Sequence, residues 1–201
     1  METIKNKPQT FILFGRSGSG KGTQARLLIK YLKEQKNRKV FYVETGQRFR
    51  DFLSKDNYTS RLTNEVMKTG GLLPPFLPIW IWSDFFVENL TGDEDMVLDG
   101  LCRVASEAKV LDSAMKFYKR HNPVVVYIKT SYEWSFTRLK GRGRADDTDE
   151  YIKSRLDWFD WNVVPAMAFF HENPDYCFIE VNGEQTPEEV HMEILSKTCR
   201  I

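Results

Sequence analysis

The chain has 201 residues and a formal net charge of +1, with 41% hydrophobic and 28% charged residues. These values are typical of a globular protein and exclude an overall charge that would attract nucleic acid or a membrane surface. Three widely spaced cysteines without a C-x-x-C pair argue against a disulfide framework and a structural zinc site, and with the polar N-terminus they predict a cytoplasmic protein.

Short apolar runs alternate with longer helical segments along the chain. Most runs are apolar without alternation, which is typical of strands buried on both faces. The predicted strands are 10–14, 40–44, 96–98, 124–128 and 177–181. The predicted helices are 21–34, 48–54, 60–68, 77–89, 105–119, 132–139, 149–171 and 187–196. This order predicts a single α/β domain over 1–201, with a parallel sheet covered by helices on both sides.

Two stretches interrupt the alternation. Residues 45–95, between the second and third strands, are too many for one crossover helix, so we expect a small helical insertion there. Residues 140–149 are polar, glycine-containing and arginine-rich, which is the composition of a mobile loop. The longest mostly apolar stretch, 72–87, contains three prolines and an aspartate, which argues against a membrane-spanning helix.

The first strand is followed at 15–24 by G-R-S-G-S-G-K-G-T-Q, which fits the phosphate-loop pattern G-x-x-x-x-G-K. Such glycines let backbone N–H groups point at phosphate oxygens, and the following helix presents its positive end to the same anion. Lys21 adds a charge at the β and γ phosphates, and the hydroxyl of Thr23 can hold Mg²⁺. The alternative is a flexible turn between strand and helix. The predicted ATP-binding residues here are Gly15, Gly18, Ser19, Gly20, Lys21, Gly22 and Thr23.

The variant G-K-G-T-Q resembles the adenylate kinase and nucleoside monophosphate kinase family, and further segments follow in that family's order over residues 11–194. T-G-Q-R-F-R at 45–50 is similar to T-G-D-x-x-R, and G-G-L-L-P at 70–74 to G-x-L-V-P. L-D-G-L-C-R at 98–103 is similar to L-D-G-F-P-R, and the segment 138–147 to R-L-x-x-R followed by G-R-x-D-D. The resemblance implies a P-loop three-layer α/β/α fold with five parallel strands in the order 2-3-1-4-5.

The same resemblance implies a helical insertion at about 45–75 that binds the acceptor monophosphate and a minimal lid at about 140–149. Arg50 and Arg103 would hold the acceptor phosphate, and Asp99 would hold Mg²⁺ through water together with Thr23. Arg138 would stack on the donor base. The remaining implied acceptor-site residues are Thr45, Gly46, Leu73, Gly100 and Glu107. Arg142, Arg144 and Arg155 would surround the phosphates, and Asp146 and Asp147 would orient these arginines when the lid closes. With Lys21 and Arg103, these three arginines are the expected catalytic residues.

The chain departs from the family pattern at four positions and in its lid. Gln47 replaces the usual aspartate, and Leu101 and Cys102 replace phenylalanine and proline. We expect Cys102 to be a small buried side chain rather than a nucleophile. Only Gly143 separates Arg142 from Arg144, which is a shorter lid than the family's usual short form.

The fourth departure concerns the acceptor base, because Glu107 lies where adenine-accepting members usually carry glutamine. A glutamine amide can both donate to and accept from adenine, whereas a carboxylate only accepts. Guanine, with two donors on its edge, would suit Glu107 better. Alternatively, Glu107 points to solvent. We favour AMP because the phosphate loop, the T-G-x-x-x-R segment and the lid all resemble adenylate kinase.

The sequence therefore predicts a kinase that transfers the γ-phosphoryl group of ATP to a nucleoside monophosphate, with Mg²⁺ as cofactor. We expect a monomer with no nucleic-acid or membrane partner. Three alternatives stay open: a UMP/CMP or GMP kinase, a P-loop kinase of a small non-nucleotide acceptor such as shikimate or gluconate, and a nucleotide-binding protein without catalytic activity.

Overall fold

The computed structural model describes residues 7–68, 73–143 and 148–198. In these residues the centre is a sheet of five parallel strands in the order β2-β3-β1-β4-β5, which confirms the predicted fold and strand order. The strands are β1 Thr10–Phe14, β2 Val40–Glu44, β3 Asp95–Asp99, β4 Val124–Lys129 and β5 Cys177–Asn182. β1 and β3 are buried along their whole length, as expected for central strands of a parallel sheet.

Helices cover both faces of the sheet. They are α1 Lys21–Glu34, α2 Thr45–Leu53, α3 Tyr58–Lys68, α4 Phe76–Asn89, α5 Ala105–Phe117, α6 Tyr132–Arg142, α7 Asp149–Trp158, α8 Val164–His171 and α9 Pro187–Thr198. Alternate residues of β1 enter different cores, because successive side chains of a strand point to opposite faces. Phe11 and Leu13 pack with α1 and α9, whereas Ile12 and Phe14 pack with α4, α5 and α8.

The predicted helical insertion contains a small core of its own, in which Phe49 and Phe52 of α2 pack with Leu77 and Ile81 of α4. The prediction that α2 begins at residue 48 is wrong, because α2 begins at Thr45, immediately after β2. Gly46 lies in the first turn, where the backbone N–H groups need no intrahelical partner, so it does not prevent the earlier start. The helix therefore begins at the edge of the sheet.

The predicted helix 149–171 is interrupted by a π-helical turn, Phe159–Val163, between α7 and α8. Pro165 explains the interruption, since its ring has no N–H to donate and would clash with the carbonyl of Trp161 in a regular helix. A second correction concerns α6, which continues to Arg142, so residues 140–142 of the predicted lid loop are helical. None of the helices in the described residues is both long and apolar enough to span a bilayer.

Candidate active site

A cavity of about 520 Å³ lies at the carboxyl ends of β1, β2 and β3, between the phosphate loop and the helical insertion. Sixteen of the predicted site residues line it: Gly15, Gly18, Gly20, Lys21, Gly22, Thr23, Gly46, Arg50, Leu73, Asp99, Gly100, Arg103, Glu107, Arg138, Arg142 and Arg155. Two more, Ser19 and Thr45, are buried and are not among the lining residues. The predicted site residues Arg144, Asp146 and Asp147 lie outside the described residues.

The phosphate loop is packed so tightly that two of its positions require glycine. Gly15 has a φ of 152°, and a Cβ there would lie 2.5 Å from Ser19 Oγ and 2.7 Å from the carbonyl oxygen of Ile128. Gly18 has a φ of 84°, and its Cβ would lie 2.7 Å from the carbonyl oxygen of Ser135. The loop is thus held against β4 and α6. It leads into α1, whose first turn has no side-chain cap and therefore presents backbone N–H groups to an anion.

The ammonium group of Lys21 is held by the loop itself. Its Nζ donates hydrogen bonds to the carbonyl oxygens of Gly15, at 2.7 Å, and Arg16, at 2.8 Å. An ammonium group has three protons, so one remains for a phosphate oxygen. Burial lowers the pKa of Lys21 to about 8, although the nearby carboxylate of Asp99 raises it. Lys21 is thus a partly buried cation that a polyphosphate would stabilise.

Asp99 ends β3 and is almost completely buried beside the cavity. Burial raises its pKa to about 6, and the positive charge of Lys21 opposes this rise. A Cβ on Gly22 would lie 3.5 Å from Asp99 Oδ2, so the first turn of α1 comes close to the carboxylate. The hydroxyl of Thr23 lies one residue further along α1 and accepts a hydrogen bond from Arg26.

This pair of oxygen groups fits Mg²⁺ of the kind that is bound with a nucleotide. Mg²⁺ takes oxygen ligands and usually keeps several waters, with one or two protein groups and the substrate phosphates completing its shell. Asp99 and Thr23 supply such groups at the edge of the phosphate loop. Among the described residues, no three His, Cys, Asp or Glu side chains form a cluster that could hold a metal ion without a substrate.

Positive charge is concentrated in the cavity far beyond the chain's net charge of +1. Among the described residues, seven cationic side chains line it against three carboxylates. The cations are Lys21, Arg26, Arg50, Arg103, Arg138, Arg142 and Arg155, and the carboxylates are Glu44, Asp99 and Glu107. Such a surface attracts polyphosphates, and planar guanidinium groups bind two phosphate oxygens at once.

Several of these arginines are held in place by neighbouring side chains. Arg155 donates to Ser17 of the phosphate loop at 3.3 Å and lies 5.5 Å from the ring centre of Tyr151. The guanidinium of Arg138 lies 5.4 Å from the ring centre of Trp134. These contacts limit the rotamers of both arginines, so less conformational entropy is lost when they bind an anion.

Comparison with known proteins identifies the family. A family model described as adenylate kinase matches residues 13–174. An adenylate kinase from Oenococcus oeni is 26% identical over 88% of this chain and 91% of its own length. An adenylate kinase from Mycobacterium leprae is 32% identical over 79% of this chain and 84% of its own length. The chain belongs to the adenylate kinase family. It is accordingly an enzyme of nucleotide phosphoryl transfer.

Two departures from the adenylate kinase pattern have a structural role in this chain. The amide oxygen of Gln47 accepts two hydrogen bonds from Arg50, at 2.6 and 3.1 Å, and its amide nitrogen donates to Asp51 at 2.8 Å. Gln47 thus positions Arg50, which also contacts Glu44 at 3.2 Å. Cys102 is buried with a φ of 60°, and burial raises the pKa of its thiol well above the usual range. The thiol therefore stays protonated and unreactive.

The expectation that Glu107 could point to solvent is wrong. Its side chain is only 2% exposed, and it lines the cavity. Its Oε2 accepts a hydrogen bond of 2.6 Å from the backbone N–H of Arg103. The reason is its position in the first turn of α5, from which a glutamate side chain can reach back to a free backbone N–H before the helix. Burial raises the pKa of Glu107, and this hydrogen bond and the charge of Arg103 lower it.

The lining residues of this adenylate kinase cavity that the sequence analysis missed include Arg26, Glu44 and Tyr151. Arg26 could have been found, because it follows Thr23 by three residues and so lies on the same face of α1. The aromatic lining residues Tyr151, Trp158 and Phe159 come from α7 and the π-helical turn, far along the chain. Trp158 lies beside Arg103, whose guanidinium is 5.9 Å from its ring centre.

Proposed function

We propose that the enzyme is an adenylate kinase in the narrow sense, which transfers the γ-phosphoryl group of ATP to AMP and forms two molecules of ADP. The observation that carries the proposal is the shared cavity of Lys21, Arg50, Arg103 and Arg142, since these cations come from separate elements. The relatives named adenylate kinase support AMP as the acceptor. The phosphate loop would hold ATP, and the insertion would hold AMP.

The transfer needs little covalent chemistry from the protein. An oxygen of the AMP phosphate attacks the γ-phosphorus, a new P–O bond forms, and the bond from the γ-phosphorus to the bridging oxygen of ATP breaks, which releases ADP. The AMP phosphate is already ionised, so no general base is required. Lys21 and the arginines hold the two phosphates in line and stabilise the charge on the transferred group. Mg²⁺ would add charge neutralisation to the donor phosphates.

An assay of ADP formation from ATP and AMP tests the proposal directly. We expect Lys21→Met and Arg103→Ala to lower kcat by orders of magnitude, because each removes a partly buried cation that would contact a phosphate. Lys33→Met, on the exposed face of the same helix α1, and Arg61→Ala, in an exposed ion pair of α3, are the matched controls and should keep normal activity. Near-normal activity in both Lys21→Met and Arg103→Ala would refute the proposal.

A second measurement tests the acceptor. AMP, CMP, UMP, GMP and their deoxy forms are ranked by kcat/KM with ATP as donor, together with shikimate and gluconate as small non-nucleotide acceptors. We expect AMP to rank first. GMP clearly above AMP would replace AMP as the acceptor, and turnover of shikimate or gluconate alone would favour the alternative class of P-loop kinase.

A further inference from the structure

Glu107 is a buried carboxylate on the wall of the cavity that the proposed mechanism does not use. It lies on α5, four residues after Arg103, and its side chain is 2% exposed. It lines the same cavity as Arg50 and Leu73 of the helical insertion. An ionisable group in this position faces the proposed acceptor nucleotide rather than solvent, so its hydrogen-bonding capacity bears on which base can bind.

The carboxylate of Glu107 can accept more hydrogen bonds than the protein donates to it. Oε2 takes the backbone N–H of Arg103 at 2.6 Å, which fixes the carboxylate against the loop before α5. The backbone of Val104 also stabilises the carboxylate, but an ionised carboxylate has about four lone-pair sites and no donor, so these two backbone groups do not saturate it. A buried carboxylate with unused lone pairs is poorly stabilised, so a base that donates N–H groups to it binds better than a base that does not.

The bases differ at the edge that would meet such a group. Guanine carries two neighbouring donors, N1–H and the N2 amino group, both of which can donate to carboxylate oxygens. Adenine carries the N1 lone pair beside the N6 amino group. A carboxylate oxygen and adenine N1 are both acceptors, so they would repel each other. A glutamine amide has one donor and one acceptor and would suit adenine.

We propose that Glu107 determines which base the acceptor site binds, and that its carboxylate makes GMP an acceptor that the same site with glutamine would reject. This inference rests on the proposed function, because it assumes that the cavity binds a nucleoside monophosphate. It concerns the ratio of GMP to AMP as acceptors, so AMP kinase activity would still stand if this inference failed.

The test is the ratio of kcat/KM for GMP to that for AMP, in the wild-type chain and in Glu107→Gln. Glutamine keeps a side-chain oxygen that can accept the N–H of Arg103, so the loop before α5 is preserved. We expect the ratio to fall at least about fivefold in Glu107→Gln, because a well-placed bidentate pair contributes about 1–3 kcal/mol of discrimination between bases, which is about 5- to 150-fold. Glu94→Gln is the matched control, since Glu94 is also buried and accepts backbone N–H groups, from Thr91 and Gly92. Its ratio should not change.

Inosine monophosphate gives a measurement that needs no variant. It has the N1–H of guanine without the N2 amino group, so in the wild-type chain we expect its kcat/KM to lie below that of GMP. No turnover of GMP, or a GMP-to-AMP ratio that Glu107→Gln leaves within about twofold, would overturn the inference while AMP kinase activity persists. If a folded wild-type chain phosphorylates no nucleoside monophosphate, the proposed function fails first.

Discussion

Lys21 and Asp99 form a pair of charges whose pKa values are drawn towards each other. Burial lowers the pKa of Lys21 to about 8 and raises that of Asp99 to about 6, and each charge partly offsets the effect of burial on the other. Both groups are mostly charged at pH values between about 6 and about 8. The free enzyme therefore has a narrow pH range in which its phosphate lysine is positive and its proposed Mg²⁺ carboxylate is negative.

We expect kcat/KM for ATP to fall as the pH rises above about 8, because Lys21 then loses its proton in the free enzyme. At saturating ATP, kcat should fall at a higher pH, since bound phosphates favour the charged lysine. The measurement is kcat/KM at limiting ATP and saturating acceptor between pH 6 and 9.5. In Lys21→Arg, which keeps its charge, the alkaline fall should disappear even though the activity is lower. A wild-type profile that stays flat to pH 9.5 would contradict the assignment.

Much of the site could be predicted at this scale because its residues lie in short motifs at the ends of strands. Lys21 and Asp99 each follow or end a buried strand that the hydrophobic pattern marks clearly. The burial of Glu107 could not be predicted, since it depends on a backbone N–H in the preceding loop. The role of Gln47 was missed for a similar reason, because its partner Arg50 becomes apparent only when α2 starts at Thr45.

At the scale of elements, Arg16 connects the phosphate loop to two other parts of the fold. It donates to the carbonyl oxygen of Thr130, after β4, at 2.9 Å and contacts Asp160 of the π-helical turn at 2.6 Å. Its guanidinium also lies 4.9 Å from the ring centre of Phe159. Phe159 lines the cavity, so the donor loop and part of the cavity wall share one arginine.

We therefore expect Arg16→Met to lower kcat/KM for ATP by about tenfold. A hydrogen bond to a charged group contributes about 1.5–3 kcal/mol, and water at the vacated position would offset part of the loss. Methionine keeps apolar contact with Phe159, so the fold should persist. Asp160→Asn should lower kcat/KM less than Arg16→Met does. The double variant should have the same kcat/KM as Arg16→Met, because both substitutions remove the same contact between Arg16 and Asp160. Lys129→Met, which removes the exposed ion pair with Glu180, is the control and should leave kcat/KM unchanged. Equal activity of Arg16→Met and wild type would show that the connection has no role in binding ATP.

Hydrophobic pattern predicted the strands well, and the break between α7 and α8 shows its limit. The segment from Asp149 to His171 has a continuous helical composition, so periodicity alone predicts one helix. The signal that could have corrected the prediction is Pro165, which cannot occupy a regular helix interior without displacing the carbonyl four residues earlier. The π-helical turn is common at functional sites, and here it brings Phe159 and Val163 to the cavity.

At the scale of the molecule, the fold brings positively charged side chains together in a way that the net charge of the chain does not reveal. The net charge of the chain is +1, yet in the part of the chain that the structure describes seven cations and three carboxylates line one cavity. A chain-wide average cannot reveal this, because the contributing residues extend from Lys21 to Arg155. The resemblance of motifs predicted most of them. The aromatic residues of α7 on the same wall depend on packing between distant segments, which no local motif records.

The connection between α6 and α7 contains the segment that the sequence analysis predicts as a lid over the donor phosphates. α6 ends at Arg142 and α7 begins at Asp149, so six residues, 143–148, join the two helices. Exclusion of water from the reacting phosphate limits hydrolysis in such enzymes. We expect so short a lid to exclude water poorly, so the enzyme should hydrolyse some ATP when no acceptor is present.

Release of inorganic phosphate from ATP without any monophosphate measures this hydrolysis. Lys21→Met, purified in the same way, is the control, because it should lose hydrolysis together with transfer and so reveals any contaminating ATPase. Addition of AMP should reduce phosphate release while ADP forms, since an AMP oxygen then occupies the position of the attacking water. Phosphate release no faster than in Lys21→Met would contradict the prediction, because it would mean that water is excluded from the reacting phosphate despite the short connection.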